Sequence, residues 1–135
     1  PINKRIFNSK KRKIYIFHKK NVSQKKRNKF NKSRVILLAV NQKKKLLDIN
    51  EILLKIGEIG IQRVLVEGGA KLMSKLAKEN LIDTLYWFRS NKINEKKRKS
   101  AISDLRVSKV NIIKNLKLEN TMQIKSDTLE VYTKK

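Results

Sequence analysis

The hydrophobic positions of this chain are gathered into short blocks, and each block has the spacing of one kind of element. Ile14-Tyr15-Ile16-Phe17 is an apolar run of strand length, held between KKRK and HKK. Asn21 to Ser33 is a polar, basic connection in which only Val22 and Phe30 are apolar anchors. Arg34 to Val40 (RVILLAV) is continuously apolar rather than alternating, which predicts a strand covered on both faces. Asn41 to Lys45 is a polar turn. Asp48 then stands as a helix N-cap with Glu51 three residues on, close to a capping box. Ile49, Ile52, Leu53, Ile56 and Ile59 follow at helical spacing and form one apolar stripe. Gly57 weakens the last turn, and Gly60 is placed to end the helix in a left-handed conformation.

The pattern repeats once. Val64-Leu65-Val66 is a short apolar run that predicts a buried strand, and Ala70 to Glu79 carries Leu72, Met73, Leu76 and Ala77 on one helical face, with Asn80 as its stop. Leu81 to Phe88 returns as a strand. The order strand, helix, strand, helix, strand predicts two crossovers and a parallel sheet core. Beyond it, Arg89 to Lys99 is a basic loop, Val110, Ile112 and Ile113 mark a further strand, and a turn falls near Asn115. Thr121 to Ile124 and Thr128 to Tyr132 are two short strands separated by Ser126-Asp127, an antiparallel hairpin at the sheet edge.

Composition alters this picture at a few points. A chain of 135 residues suits one domain with its own core. It begins at Pro1 rather than Met, so a processed or excised piece of a longer protein is expected. The net charge is +24, from 35 Lys+Arg against 11 Asp+Glu. Such a balance suits a polyanion partner. It is also what A/T-rich codons produce, because Lys, Asn and Ile are all abundant. Lysine greatly outnumbers arginine, the better residue for bidentate phosphate and base contacts. Weak, non-specific and salt-sensitive nucleic-acid binding is expected either way. No cysteine is present, which excludes disulfides and thiolate metal sites and fits a reducing, cytoplasmic setting. His18 is the only histidine and reads as a loop residue, so no His/Cys zinc site is available and no metal is assigned. No apolar run approaches the ~20 residues of a membrane helix, and no membrane partner is expected.

The candidate chemistry lies at Glu67-Gly68-Gly69, between an apolar run and a helix start. In parallel sheets ligands bind beyond the carboxyl ends of strands. Glycines there remove the Cβ atoms that would hold a pyrophosphate away from the backbone. The helix from Ala70 offers free N–H groups and its positive dipole end, and Lys71 adds charge. A tight turn with no ligand would use the same three residues. Elsewhere, Asp104 stands alone among basic residues, which supports no carboxylate pair, and a single histidine supports no Ser-His-Asp arrangement. Tyr15, Phe17, Tyr86, Trp87 and Phe88 could serve as stacking platforms, but they lie in apolar strands, so core packing is expected of them.

Over Arg63 to Arg89 the sequence resembles the reductase domain of the bifunctional riboflavin-biosynthesis deaminase-reductases. That family shows an apolar strand, Glu-Gly-Gly, an amphipathic helix and a Leu-Val-Asp-Glu-like strand start. Val64 to Gly69 matches the first part, and Leu81-Ile82-Asp83 the second, with Thr84 in place of the usual acid. Trp87-Phe88-Arg89 and the closing SDTLEVY (Ser126 to Tyr132) also look like family members. Two features depart from the family. Ser90 to Glu95 replaces a Pro followed by a Gly pair, and Lys125-Ser126 replaces the glycine of the last hairpin.

The resemblance implies an α/β, dihydrofolate-reductase-like fold, with a mostly parallel central sheet, flanking helices and a C-terminal antiparallel hairpin. Residues 1–135 would be the C-terminal part of one reductase domain, its first part and a deaminase domain lying upstream. The implied activity is NADPH-dependent reduction of 5-amino-6-(5-phosphoribosylamino)uracil to the ribitylamino product, a small phosphorylated substrate. Gly68 and Gly69 would approach the NADPH phosphates by backbone, with Ala70 and Lys71 at the same helix start. Glu67 would face the substrate or nicotinamide, or else bond the local backbone. Asp83 would order the strand entry or a subunit contact. No catalytic side chain is assigned, and a homodimer is expected. The alternatives are a basic RNA-binding module, which would expose aromatics beside clustered lysines, and an inactive relative of the reductase.

Overall fold

The computed structural model describes residues 5–8, 12–30, 34–90 and 115–135. The chain forms two compact units, Pro1–Val64 and Leu65–Lys135. In the first unit, β1 (Ile14–Lys19) lies parallel to β2 (Val35–Val40), with Ile14 opposite Val35 and Lys19 opposite Val40. The polar connection between them contains a short helix, α1 (Gln24–Asn28). Its anchors, Val22 and Phe30, are half-buried, and the Phe30 ring meets Phe7 at a centroid distance of 6.0 Å. His18 belongs to β1, opposite Ala39, and not to a loop. The strand extends two residues past the apolar run, through His18 and Lys19, because parallel pairing with β2 continues to Val40, which is fully buried.

The turn after β2 is a miniature hairpin, β3 (Gln42–Lys43) and β4 (Leu46–Leu47), closed by Lys44 and Lys45 at φ of 49° and 67°. It delivers Asp48 to the start of α2 (Ile49–Glu58), where Asp48 accepts a bond from the Asn50 N–H at 3.1 Å. Glu51 accepts from the Asn41 N–H at 2.7 Å, so it ties the helix to the end of β2 instead of completing a capping box. At the other end Gly60 takes φ +83°, with Gly60 N–H bonded to Gly57 O and Ile61 N–H to Ile56 O. These paired bonds are the left-handed helix stop that the glycine predicts.

The Asp48 carboxylate pairs with Lys43 Nζ at 2.8 Å. The Lys43 hydrogen bond holds its pKa below the ordinary 3.8, against an opposing push from burial. A carboxyl whose folded pKa is lowered stabilises the fold above its unfolded value and loses that contribution as pH falls through the folded value. Asn is as good an N-cap as Asp. Asp48→Asn should therefore lower stability at neutral pH and flatten the acid limb below pH ~4, where parent and variant converge. Urea midpoints measured across pH check this; parallel curves would contradict it.

In the second unit, α3 (Ala70–Lys78) ends at Asn80 with φ +55°, and Leu81 N–H bonds back to Leu76 O at 2.9 Å. The chain then enters β5 (Thr84–Arg89), which pairs antiparallel with β7 (Asp127–Lys134), and β7 pairs with β6 (Leu116–Ile124). The hairpin predicted near the C-terminus is thus present and longer than expected, with β7 at the centre of the sheet in the order β5-β7-β6. Its turn, Lys125-Ser126, carries φ +55° at Lys125, a left-handed position occupied without glycine. Asp83 orders the strand entry through its backbone, its carbonyl accepting from Lys134 N–H at 2.9 Å.

Leu85, Leu116 and Tyr132 form the core of this unit, and Met73, Ala77, Ile82 and Trp87 pack against it. The expectation that Tyr86 and Phe88 pack in a core is corrected. They are 57% and 66% exposed, because strand alternation sends them to the face opposite Leu85 and Trp87. The strand expected at Val64 to Val66 is also corrected. It has no ladder partner among the described residues, and Leu65 is 78% exposed. An apolar run becomes a strand only where a neighbour accepts its backbone bonds. The molecule is a mixed α/β protein whose parallel pairing, among the described residues, is confined to β1 and β2. The strand expected around Val110 to Ile113 and most of the basic loop after Arg89 lie outside the described residues.

Candidate functional site

Glu67, Gly68, Gly69, Ala70 and Lys71 come together at one place, the start of α3. Gly69 is its N-cap, at φ −73° and ψ 173°. That backbone conformation suits any residue. A Cβ built on Gly69 would meet nothing within 4 Å. Neither conformation nor internal packing therefore calls for a glycine here, and what remains is open backbone. Gly68 differs: its Cβ would lie 2.6 Å from Leu72 Cδ2, so the Leu72 side chain closes over it.

The first helical turn is left electrically open. Leu72 and Met73 N–H bond to Gly69 O at 3.0 and 3.3 Å. The N–H groups of Ala70 and Lys71, one step earlier, have no backbone acceptor among the described residues. No acidic residue stands in the first turn, and the N-cap, Gly69, has no side chain with which to cap it. The other long helix is the contrast. At α2, Asp48 caps the N-terminus, Glu51 stands in the first turn, and the site is satisfied from within. The start of α3 keeps free donors, the positive end of the dipole and the exposed Lys71 side chain. An anion is the group that such a donor set fits. The Glu67 side chain is exposed just before this helix start.

A second polar group was not found from the sequence. On β7, Glu130 is only 7% exposed, and its carboxylate is paired with the Arg89 guanidinium at the end of β5. Tyr132 Oη donates to Glu130 Oε2 at 2.9 Å. The i, i+2 spacing of Glu130 and Tyr132 puts both on one strand face, a signal visible in LEVY. Arg89 joins them only through the pairing of Trp87 with Glu130 and of Arg89 with Thr128, a diagonal contact between strands.

Residues 1–129 match the model of the RibD C-terminal domain. The chain belongs to the RibD C-terminal domain family. A crystal structure from Thermotoga maritima is similar to it, with a TM-score of 0.53 and 23% sequence identity over 90% of this chain. That protein is described as a diaminohydroxyphosphoribosylaminopyrimidine deaminase/5-amino-6-(5-phosphoribosylamino)uracil reductase, and the match spans 37% of its chain. At this identity the likeness speaks for the fold. A comparison with curated protein sequences gave no match. Within this RibD C-terminal domain, no helix among the described residues is long and apolar enough to cross a membrane.

Proposed function

We propose that this RibD C-terminal domain is the reductase of riboflavin biosynthesis. In this reading it has a dihydrofolate-reductase-like fold and reduces 5-amino-6-(5-phosphoribosylamino)uracil to the ribitylamino product at the expense of NADPH. The observation that carries the reading is the start of α3, where free N–H groups lie beside a glycine that neither backbone nor packing requires. The Ala70 and Lys71 N–H groups would hold a cofactor phosphate, Gly69 would let it reach the backbone, and Lys71 would add charge. Glu67 would face the substrate or the nicotinamide.

The cofactor, when bound, supplies a hydride to the sugar C1′, while the bond from C1′ to the ring oxygen opens and that oxygen takes a proton. The residues named here bind, orient and balance charge, and none is a nucleophile. The basic surface would favour encounter with two phosphorylated ligands. The same proposal takes the protein as a cytosolic homodimer with only weak affinity for nucleic acid.

One observation favours the rival class: Tyr86 and Phe88 are exposed side by side on β5, as a base-stacking surface requires. Deuterium-labelled NADPH separates the two readings. Incubation of the chain with labelled cofactor and 5-amino-6-(5-phosphoribosylamino)uracil should place deuterium on C1′ of the product. No transfer, together with tight and salt-sensitive RNA binding weakened by Tyr86→Ala and Phe88→Ala, would favour the RNA-binding module.

A further inference from the structure

The Arg89 guanidinium is held by a buried carboxylate. Its partner Glu130 is buried, and the Tyr132 hydroxyl occupies the second carboxylate oxygen. The carboxylate side chain is 9% exposed, yet the Arg89 side chain is 51% exposed. One edge of the guanidinium is therefore fixed inward while the rest faces solvent. A flexible surface lysine must lose rotamer entropy to bind an anion, whereas a guanidinium already held by a buried carboxylate has lost it in advance.

Its place in the fold matters as much. α3 turns back through Leu81 to Asp83 into β5, and Met73 and Ala77 pack on the Leu85-Leu116-Tyr132 core. Arg89, Glu130 and Tyr132 share the sheet face on which α3 packs.

We infer that Arg89 binds the phosphomonoester of a ligand, with Glu130 as its positioning residue and Tyr132 holding Glu130 in place. The inference rests on the reductase reading for the identity of the ligand and on the buried cluster for the cation. A phosphomonoester could come from the 2′-phosphate of NADPH or from the phosphate of the substrate. The chemistry is the same, and the ligands separate the two sources.

Inorganic phosphate is the first probe, because it needs no intact cofactor site. In the parent the Arg89 Nε–H resonance should shift saturably with phosphate, and in Glu130→Gln the shift should be lost or weakened about tenfold, as expected for a charge-assisted hydrogen bond no longer preorganised. Arg89→Lys keeps the charge without the planar fork and serves as the second variant should Glu130→Gln fold poorly. Binding of NADPH against NADH, and KM for the substrate against its dephosphorylated analogue, then assign the source. A loss of about 10- to 100-fold confined to the phosphorylated member of one pair supports the inference and names that source. Two results overturn it: folded Arg89→Lys and Glu130→Gln variants that keep parental phosphate affinity and both ligand preferences, or equal losses for phosphorylated and unphosphorylated ligands, which indicate a purely structural pair. If the parent binds phosphate through Arg89 but neither NADPH nor the substrate, the reductase reading fails while the cation site stands.

Discussion

Gly69→Asp is expected to abolish useful NADPH binding while leaving the protein at least as stable as the parent. Aspartate is a better N-cap than glycine by a few tenths of a kcal/mol, and the backbone at φ −73° and ψ 173° already suits it. No atom within 4 Å opposes its Cβ. The carboxylate would accept the N–H groups of the first turn that a cofactor phosphate is proposed to use, and it would set like charge against that phosphate. A like-charge contact of this kind costs roughly 2–3 kcal/mol, or about 30- to 150-fold in affinity. Gly69→Asn has the same shape without the charge and should fall between parent and Asp. The measurement is a pair of curves for each variant, urea unfolding and NADPH titration. Stability rising while affinity falls is the signature of a ligand site. If both fall together, Gly69 is a structural residue.

Leu85→Ala carries the largest expected cost in stability. Leu85 is 5% exposed, sits opposite Tyr132 on β7 and shares a core with Leu116, against which Met73, Ala77, Ile82 and Trp87 pack. Truncating such a leucine removes its transfer free energy and leaves a cavity, about 2–5 kcal/mol together. With a urea slope of ~1–3 kcal/mol/M, the midpoint should fall by more than ~1 M. Phe88→Ala, three residues along the same strand, should cost about 1 kcal/mol or less, since its ring is 66% exposed. From composition alone the phenylalanine looks the more important residue. Alternation about β5 reverses that order, and comparable losses in the two variants would contradict the register of β5 against β7.

These contrasts show which features were legible in the sequence. Elements closed by local chemistry were readable. Asp48 caps α2, Gly60 and Asn80 stop their helices in left-handed turns, and the hairpin of β6 and β7 follows from two alternating runs and a short turn. All depend on residues a few positions apart. Features that depend on a distant partner were not readable. Val64 to Val66 has strand composition, but composition does not name the strand that must accept its bonds. Tyr86 and Phe88 look like core residues until the pairing of Leu85 with Tyr132 fixes which face is buried. The Arg89-Glu130 pair spans 41 residues and exists only in that register. At the candidate site, the Glu-Gly-Gly turn and the helix start were readable as a unit. The difference between its two glycines was not, because it depends on where the Leu72 side chain lies.

The most direct test of the central claim is an NADPH titration of this chain at moderate salt, followed by the fluorescence of Trp87, with inorganic pyrophosphate and RNA as competitors. The account predicts saturable binding that NADPH saturates well below the concentration of pyrophosphate needed to compete, that RNA does not mimic, and that Gly69→Asp removes. Binding that RNA displaces and that is unchanged in Gly69→Asp would contradict it, because the start of α3 would then play no part in holding the cofactor.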